Sequence, residues 1–222
     1  MTTARERILE ATTQLLASSD ALAISTRAIC ERAKVGGPEI YRQFGDKQGL
    51  LAAVADLGFD RFLANKRRNP RTDDPVADLR TAWDSHVTFA LANPHLYRLM
   101  FTPSGEPKPQ AVKEAQALLL EALARCGDAG RLRMAPELAG QSILAANVGV
   151  CIMMLSFPEL FGSLDISQAV RDAVIGKVAG DEQEDTRIEA ATVLARALAG
   201  TLTGTAPVDD ATIEQVARAL GS

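Results

Sequence analysis

The 222-residue chain has little of what most enzymes and secreted proteins need. It holds two histidines, His86 and His95, and three cysteines, Cys30, Cys126 and Cys151. The histidines show no HExxH or other close ligand spacing, so no metal site is expected. The cysteines stand far apart with no CxxC pair, which excludes a disulfide framework. They read as small buried hydrophobes in a reducing compartment. There is no GxSxG elbow, no GxGxxG and no Walker loop, and no cysteine has a nearby histidine to activate it. Neither an enzyme nor a cofactor is expected. The N-terminal MTTARERILEATTQLL breaks its apolar residues with Glu6, Arg7 and Glu10, leaving no signal-peptide core, and a cytoplasmic protein is expected.

Charge is missing from one long stretch. Residues 138–158 carry no charged side chain, and 21 residues can span a bilayer. The stretch is broken by Gln141, Ser142, Asn147, two glycines and a closing proline. A helix apolar all round is also what a bundle core or a subunit interface requires. That reading is preferred, and no membrane association is expected.

Elsewhere the composition is that of a folded chain, 47% hydrophobic and 23% charged. The net charge of −4 hides an asymmetry. Residues 1–71 carry 12 Lys and Arg against 8 Asp and Glu, whereas residues 72–222 carry 12 against 20. A basic N-terminal third on an acidic body points to a polyanion partner at one end.

Strict apolar–polar alternation is absent, so no sheet is predicted and the fold class is all-α. Helical period predicts helices over about 4–18, 26–33, 37–44, 47–66, 76–92, 95–101, 108–125, 136–155, 166–179, 185–202 and 210–220. Thr2 or Thr3 is placed to cap the first, and Ser25 or Thr26 the second. Pro38 falls in the first turn of the third, where its missing N–H costs nothing. Residues 67–75 read as a linker, and 102–109 and 127–130 as loops.

Residues 25–44 place two short helices around a turn of about four residues. So brief a turn forces a steep crossing, the helix-turn-helix arrangement. Ile29, Val35, Ile40 and Phe44 form its inner core. At about 100° per residue, Glu39, Arg42 and Gln43 then lie on the outer face beside Tyr41. Such a face suits the major groove: Arg reads guanine, Gln pairs with adenine and Glu accepts from cytosine.

The segment STRAICERAKVGGPEIYRQFGDKQGLL, residues 25–51, resembles the DNA-binding signature of TetR/AcrR-type transcriptional repressors. Its marks are Ser-Thr opening the second helix, a Tyr-x-x-Phe recognition helix, and a Lys with Leu-Leu starting the fourth. The resemblance implies a homodimeric one-component regulator on a double-stranded palindromic operator. It divides the chain into a three-helix reading domain, 1–50, and an effector-binding and dimerising bundle, 51–222. It further implies that the hydroxyl of Thr26, at the cap position, meets a phosphate and that Arg27 reaches a base edge. Gly37, Pro38 and Glu39 begin the groove-facing turn, and Tyr41 bonds a phosphate. Arg42 and Gln43 cover bases or backbone, and Lys47 pairs another phosphate. Lys34 stands where the family commonly has glycine. Glu39 is acidic in a cationic face, either reading a cytosine or repelling the backbone.

In the bundle, Trp83, His86, Phe89, Tyr97, Met100 and Phe101 are candidate contacts for an unidentified small apolar effector. An aromatic stripe that is only core would look the same. For self-association the uncharged helix offers Leu144, Val148, Cys151, Ile152 and Leu155, with Gly140, Ala145 and Gly149 allowing close approach. A later helix adds Leu194 and Leu198. The contrasting reading is an effector-independent DNA-binding activator or nucleoid-type protein.

Overall fold

The ends of the first four helices are set by identifiable side chains. In the computed structural model, which describes residues 2–21, 23–68, 71–101 and 110–180, α1 spans Ala4–Leu16. Thr3 caps it reciprocally: the Glu6 N–H donates to Thr3 Oγ1 at 3.2 Å, and the Thr3 N–H donates to Glu6 Oε2 at 2.7 Å. In α2 (Thr26–Ala33) the cap is Ser25, whose Oγ accepts from the Ala28 N–H at 3.1 Å. This corrects the position assigned to Thr26. Ser25 keeps the extended backbone a cap needs, while Thr26 is already inside the first helical turn.

The turn that follows is sharp because Lys34 adopts φ 54°, in the left-handed region. A side chain there costs about 1 kcal/mol. After it, α3 (Gly37–Phe44) starts with Pro38 in its first turn and stops at Gly45, φ 80°. Asp46 then caps α4 (Lys47–Arg67), accepting from the Gly49 N–H at 2.8 Å. Gly49 itself is constrained, since a Cβ at this position would lie 2.1 Å from the Phe44 carbonyl oxygen.

Six further helices follow: α5 (Pro75–Ala92), α6 (Pro94–Phe101), α7 (Gln110–Asp128), α8 (Pro136–Ser156), α9 (Pro158–Phe161) and α10 (Leu164–Val178). Two details depart from expectation. The chain stays helical through Gly127 and turns only at Gly130, φ 70°. The four-residue α9, begun by Pro158, was not predicted, being too short for a periodic signal. The helices predicted over 185–202 and 210–220, with Leu194 and Leu198, lie outside the described residues. Among the described residues there is no strand, only an isolated bridge between Leu132 and Ala179.

Helix α4 joins the two halves. Its buried residues run along its length, from Leu50 and Val54 against the first three helices to Phe59, Phe62 and Leu63 in the bundle. It touches α1 and α3 at one end and α5, α6 and α7 beyond. Asp74 fastens the start of α5, accepting from the Val76 and Ala77 N–H groups and from Arg131 Nη1 at 2.6 Å.

By length and composition α8 could cross a membrane, with a mean hydropathy of 1.8. In this fold it packs on α7, α10 and α5, burying Ile143, Asn147, Cys151 and Met154. Gly140 packs against Leu119, Leu120 and Leu123 of α7 rather than opening a route to a second subunit. Leu138, Leu144 and Met153 are exposed, as are Phe157, Leu160 and Leu164 beyond it.

Candidate nucleic-acid interface

The helix-turn-helix core packs as its residue types demand. Ile29 and Ile40 are buried, while Val35 and Phe44 are half-buried at its rim. The Arg5 guanidinium covers the Phe44 ring at 4.5 Å. Two more α1–core links fix the geometry: Arg5 Nη1 donates to the Gln43 carbonyl at 3.0 Å, and Arg7 Nε to the Ala33 carbonyl at 3.2 Å. The start of α1 is thus tied to the ends of α2 and α3.

With that core closed, Gly37, Pro38, Tyr41 and Arg42 stand exposed along one side of α3. Tyr41 is 62% exposed, too open for the aromatic core residue it could have been. A shallow groove of about 380 Å³ separates α2 from α3, lined by Thr26, Arg27, Cys30, Glu31, Val35, Gly37 and Tyr41. Lys47 lies in the first turn of α4, half-buried. The arrangement brings together Thr26, Arg27, Gly37, Pro38, Tyr41 and Arg42.

Glu39 and Gln43 sit apart from this surface. The Glu39 carboxylate accepts from Arg42 Nη2 at 2.6 Å and from Gln43 Nε2 at 2.9 Å. Its side chain is only 18% exposed. The Gln43 amide and the Arg42 guanidinium hold its carboxyl below the ordinary range, with Arg7 adding to the field. The outer-face assignment of Glu39 and Gln43 is therefore corrected. One helical turn apart, they share the flank of α3 that faces α1, so Glu39 is an internal acceptor for its neighbours.

Sequence reasoning missed Glu31, Cys30 and Gly49. Arg27 Nε donates to Glu31 Oε1 at 2.8 Å, an i,i+4 pair whose spacing was visible in the sequence. The role of Gly49 depends on a carbonyl five residues earlier, which no periodicity reports.

The bundle's candidate effector residues are packed rather than gaping. His86, Phe89, Tyr97 and Phe101 join Phe59 and Phe62 in one aromatic cluster, with ring centroids 4.5–5.7 Å apart. His86 Nε2 and the Tyr97 hydroxyl meet at 2.9 Å inside it. Burial, then the nearby Lys66 ammonium, pushes the His86 imidazole well below its ordinary pKa. Met100 packs where α6 crosses Gly58 of α4. Trp83 stands apart, its Nε1 donating to Ser167 Oγ at 3.0 Å and its carbonyl accepting from Asn147 Nδ2 at 3.4 Å.

Of the candidate dimer residues, Leu144 is exposed, and Val148, Ile152 and Leu155 are half-buried. Cys151 is fully buried, its thiol pushed up to about 11 by burial, and belongs to the bundle core. Among the described residues no three His, Cys, Asp or Glu side chains converge as a metal site.

A three-helix reading head with an exposed recognition helix, joined to a helical bundle by one continuous helix, defines a helix-turn-helix transcription regulator. Residues 8–54 match the family described as bacterial regulatory proteins, tetR family, and residues 79–221 match the tetracyclin repressor-like C-terminal domain. The chain belongs to the tetR family. No curated protein matches it. A protein of unknown function from Rhodococcus sp. RHA1 superposes with a TM-score of 0.68 at 22% identity, over 81% of this chain and 97% of that one. A bacterial regulatory protein in the tetR family from Rhodococcus RHA1 gives 0.63 at 19%, over 82% and 100%. SmeT, the repressor of the Stenotrophomonas maltophilia multidrug efflux pump SmeDEF, gives 0.63 at 23%, over 80% and 91%. At these identities the likeness is one of fold.

Proposed function

We propose that this regulator is a repressor that binds a palindromic operator as a homodimer in the cytoplasm and is released by a small effector. The observation that carries the reading is the exposed Tyr41 and Arg42 of α3 beside Arg27, on a head locked by Arg5 and Arg7. Residues 1–50 read DNA, and residues 51–222 bind the effector and dimerise. Arg27 and Arg42 supply base contacts, Tyr41, Lys47 and Thr26 anchor phosphates, and Gly37 and Pro38 let α3 enter the groove closely. Glu39 holds Arg42 in a pair that DNA must break, and Gln43 shares the same carboxylate oxygen. Two recognition helices must sit about 34–36 Å apart to enter successive major grooves, which a symmetric dimer provides.

The exposed apolar residues Leu138, Leu144, Met153, Phe157, Leu160 and Leu164 supply the dimer face, since large apolar side chains gathered at a surface mark association sites. SmeT has been solved in complex with triclosan, a precedent in this fold for binding a small molecule. Here Trp83, His86, Phe89, Tyr97, Met100 and Phe101 form packed bundle walls through which a ligand held beside them would tilt α4.

The test is selection of duplexes from a random pool by the full chain, with sedimentation of the free protein and the complex. One recovered palindrome bound by two chains supports the reading. Uniform recovery without sequence preference would identify a nucleoid-type protein instead, and a stable monomer at micromolar concentration would remove the dimer.

A further inference from the structure

A cleft of about 160 Å³ opens between α4, α5 and α7, away from the aromatic cluster's interior. Leu79, Ala82, Leu118, Leu119 and Ala122 supply its apolar wall. Its charged groups are Lys66, Arg67 and Arg71 beside Asp78, Glu121 and Arg125. Most of these charges are already paired. Arg125 Nη1 holds Asp78 at 2.6 Å, Arg71 Nη2 holds Glu121 at 2.8 Å, and Arg67 Nη2 reaches out to Glu114 at 2.9 Å.

Lys66 is the cation left over. Its ammonium lies 5.0 Å from the centre of the Phe62 ring and has no carboxylate or hydrogen-bond acceptor among the described residues. Each carboxylate of the cleft is committed to an arginine, so none of the described residues offers Lys66 a counter-ion. Burial pushes the ammonium down to about 8. A partly desolvated charge without a partner among the described residues is costly, and an anion entering the cleft would relieve that cost.

We infer that this cleft is the site of a small monoanionic effector, a carboxylate on a single apolar ring, whose carboxylate pairs with Lys66 and whose ring lies on the Leu79–Leu118–Ala122 wall. The volume fixes the scale, because an apolar cavity of about 150 Å³ takes up one benzene ring. The sign comes from the unmatched cation. The inference rests on the effector reading above and adds to it the place and chemical class of the ligand. The site also suits regulation: Lys66 and Lys47 stand on the same helix, about 28 Å apart along its axis. A ligand drawing on Lys66 therefore acts on the element that carries the reading head.

The experiment is calorimetric titration of the full-length protein with benzoate and phenylacetate, against neutral benzamide. Alongside it runs release of the duplex recovered by selection. The carboxylates should bind at least about tenfold more tightly than benzamide. Lys66→Met should abolish that preference and Lys66→Arg should restore it, which separates lost charge from lost folding. Affinity for benzoate should fall by up to about tenfold per pH unit above pH 8, as Lys66 loses its proton. The other groups around the ammonium are Arg67 on its own helix, Asp78 and His86 on α5, Glu121 and Arg125 on α7, and Arg71 before α5. The depressed His86 has finished titrating below that range. Equal binding of benzamide, an unchanged preference in Lys66→Met, or no binding of either carboxylate at millimolar concentration would overturn the inference. If neutral apolar compounds release DNA with Lys66 dispensable, the effector reading survives and this site falls. Lys66-dependent carboxylate binding without DNA release leaves the site standing and removes the effector role.

Discussion

Arg42 and Glu39 face each other across one turn of α3, Nη2 to Oε1 at 2.6 Å, and the same oxygen accepts from Gln43 at 2.9 Å. The proposed base reader nearest the centre of the recognition helix is thus held by a carboxylate of its own helix. Arg42 is 71% exposed at its side chain, so DNA can compete for it, but only by breaking the pair.

Glu39→Gln should therefore tighten DNA binding. An exposed pair contributes at most about 1 kcal/mol, which limits the gain to about fivefold. Both selected and scrambled duplexes should gain, because Arg42 is freed from its carboxylate partner on either one. Affinity that is unchanged or weaker, measured by titration at low salt, would show that Glu39 has no inhibitory part.

Base and phosphate contacts should separate in one salt series. Arg27→Ala or Arg42→Ala should cost about 1–3 kcal/mol on the preferred duplex and relax preference at one base position. Lys47→Ala should weaken both duplexes alike and flatten the salt slope by about one unit. Tyr41→Phe should weaken both without changing that slope, since the hydroxyl is neutral. If Lys47→Ala changed base preference while both arginine variants acted uniformly, α3 would be wrongly placed on the groove.

Gly49→Ala should damage the reading head even though alanine favours helix. Its Cβ would meet the Phe44 carbonyl oxygen at 2.1 Å, a backbone atom that cannot step aside alone. A loss of about 1–3 kcal/mol in thermal or denaturant stability is expected, together with weaker DNA binding. A neutral or stabilising effect would mean that the α3–α4 junction relaxes freely.

Acid should act through His86. Burial and Lys66 lower its folded pKa, while the unfolded chain protonates near pH 6.5. Between those values the unfolded state binds the extra proton, so stability falls as pH drops below about 6.5, by up to about 1.4 kcal/mol per unit. His86→Gln can still hydrogen-bond Tyr97 but cannot titrate. The difference in stability between wild type and variant should change with pH over this window, and a constant difference would remove His86 as the cause.

Lys66 gives the opposite end of the pH scale. Its ammonium titrates near 8 in the fold and at its ordinary 10.5 when unfolded. Across that interval the unfolded chain holds a proton that the folded one has released, so stability rises with pH. Lys66→Met should be more stable than wild type at neutral pH, and should lose the rise. Destabilisation by Lys66→Met at pH 7 would show that the ammonium has a counter-ion in solution.

Much of this was legible along the chain. Ile29, Ile40 and Phe44 mark the inside of the head by spacing alone, and Pro38 marks where α3 begins. The charge asymmetry pointed to the end that carries the head. Ser25 and Thr26 could not be told apart as caps, since both are hydroxyl residues at the same boundary. Only the backbone angles choose between them. Glu39 was misplaced because helical phase places a residue relative to its own core and is blind to a second helix. Here α1 covers the flank of α3 that the phase left open.

Helix periodicity, capping residues, the Pro38 start and the Gly45 stop are short-range, so the sequence by itself determined the all-α class and the helix-turn-helix. Which side chains meet across distant helices was decided only by tertiary packing. His86 came to meet Tyr97, Cys151 turned into the bundle core, and Lys66 came to lie in a cleft whose carboxylates were already held by arginines. The physical reason is that burial and pairing depend on every neighbour in space. A charge 66 residues along a chain has no counter-ion, or a surplus of them, only once α4, α5 and α7 have closed around it.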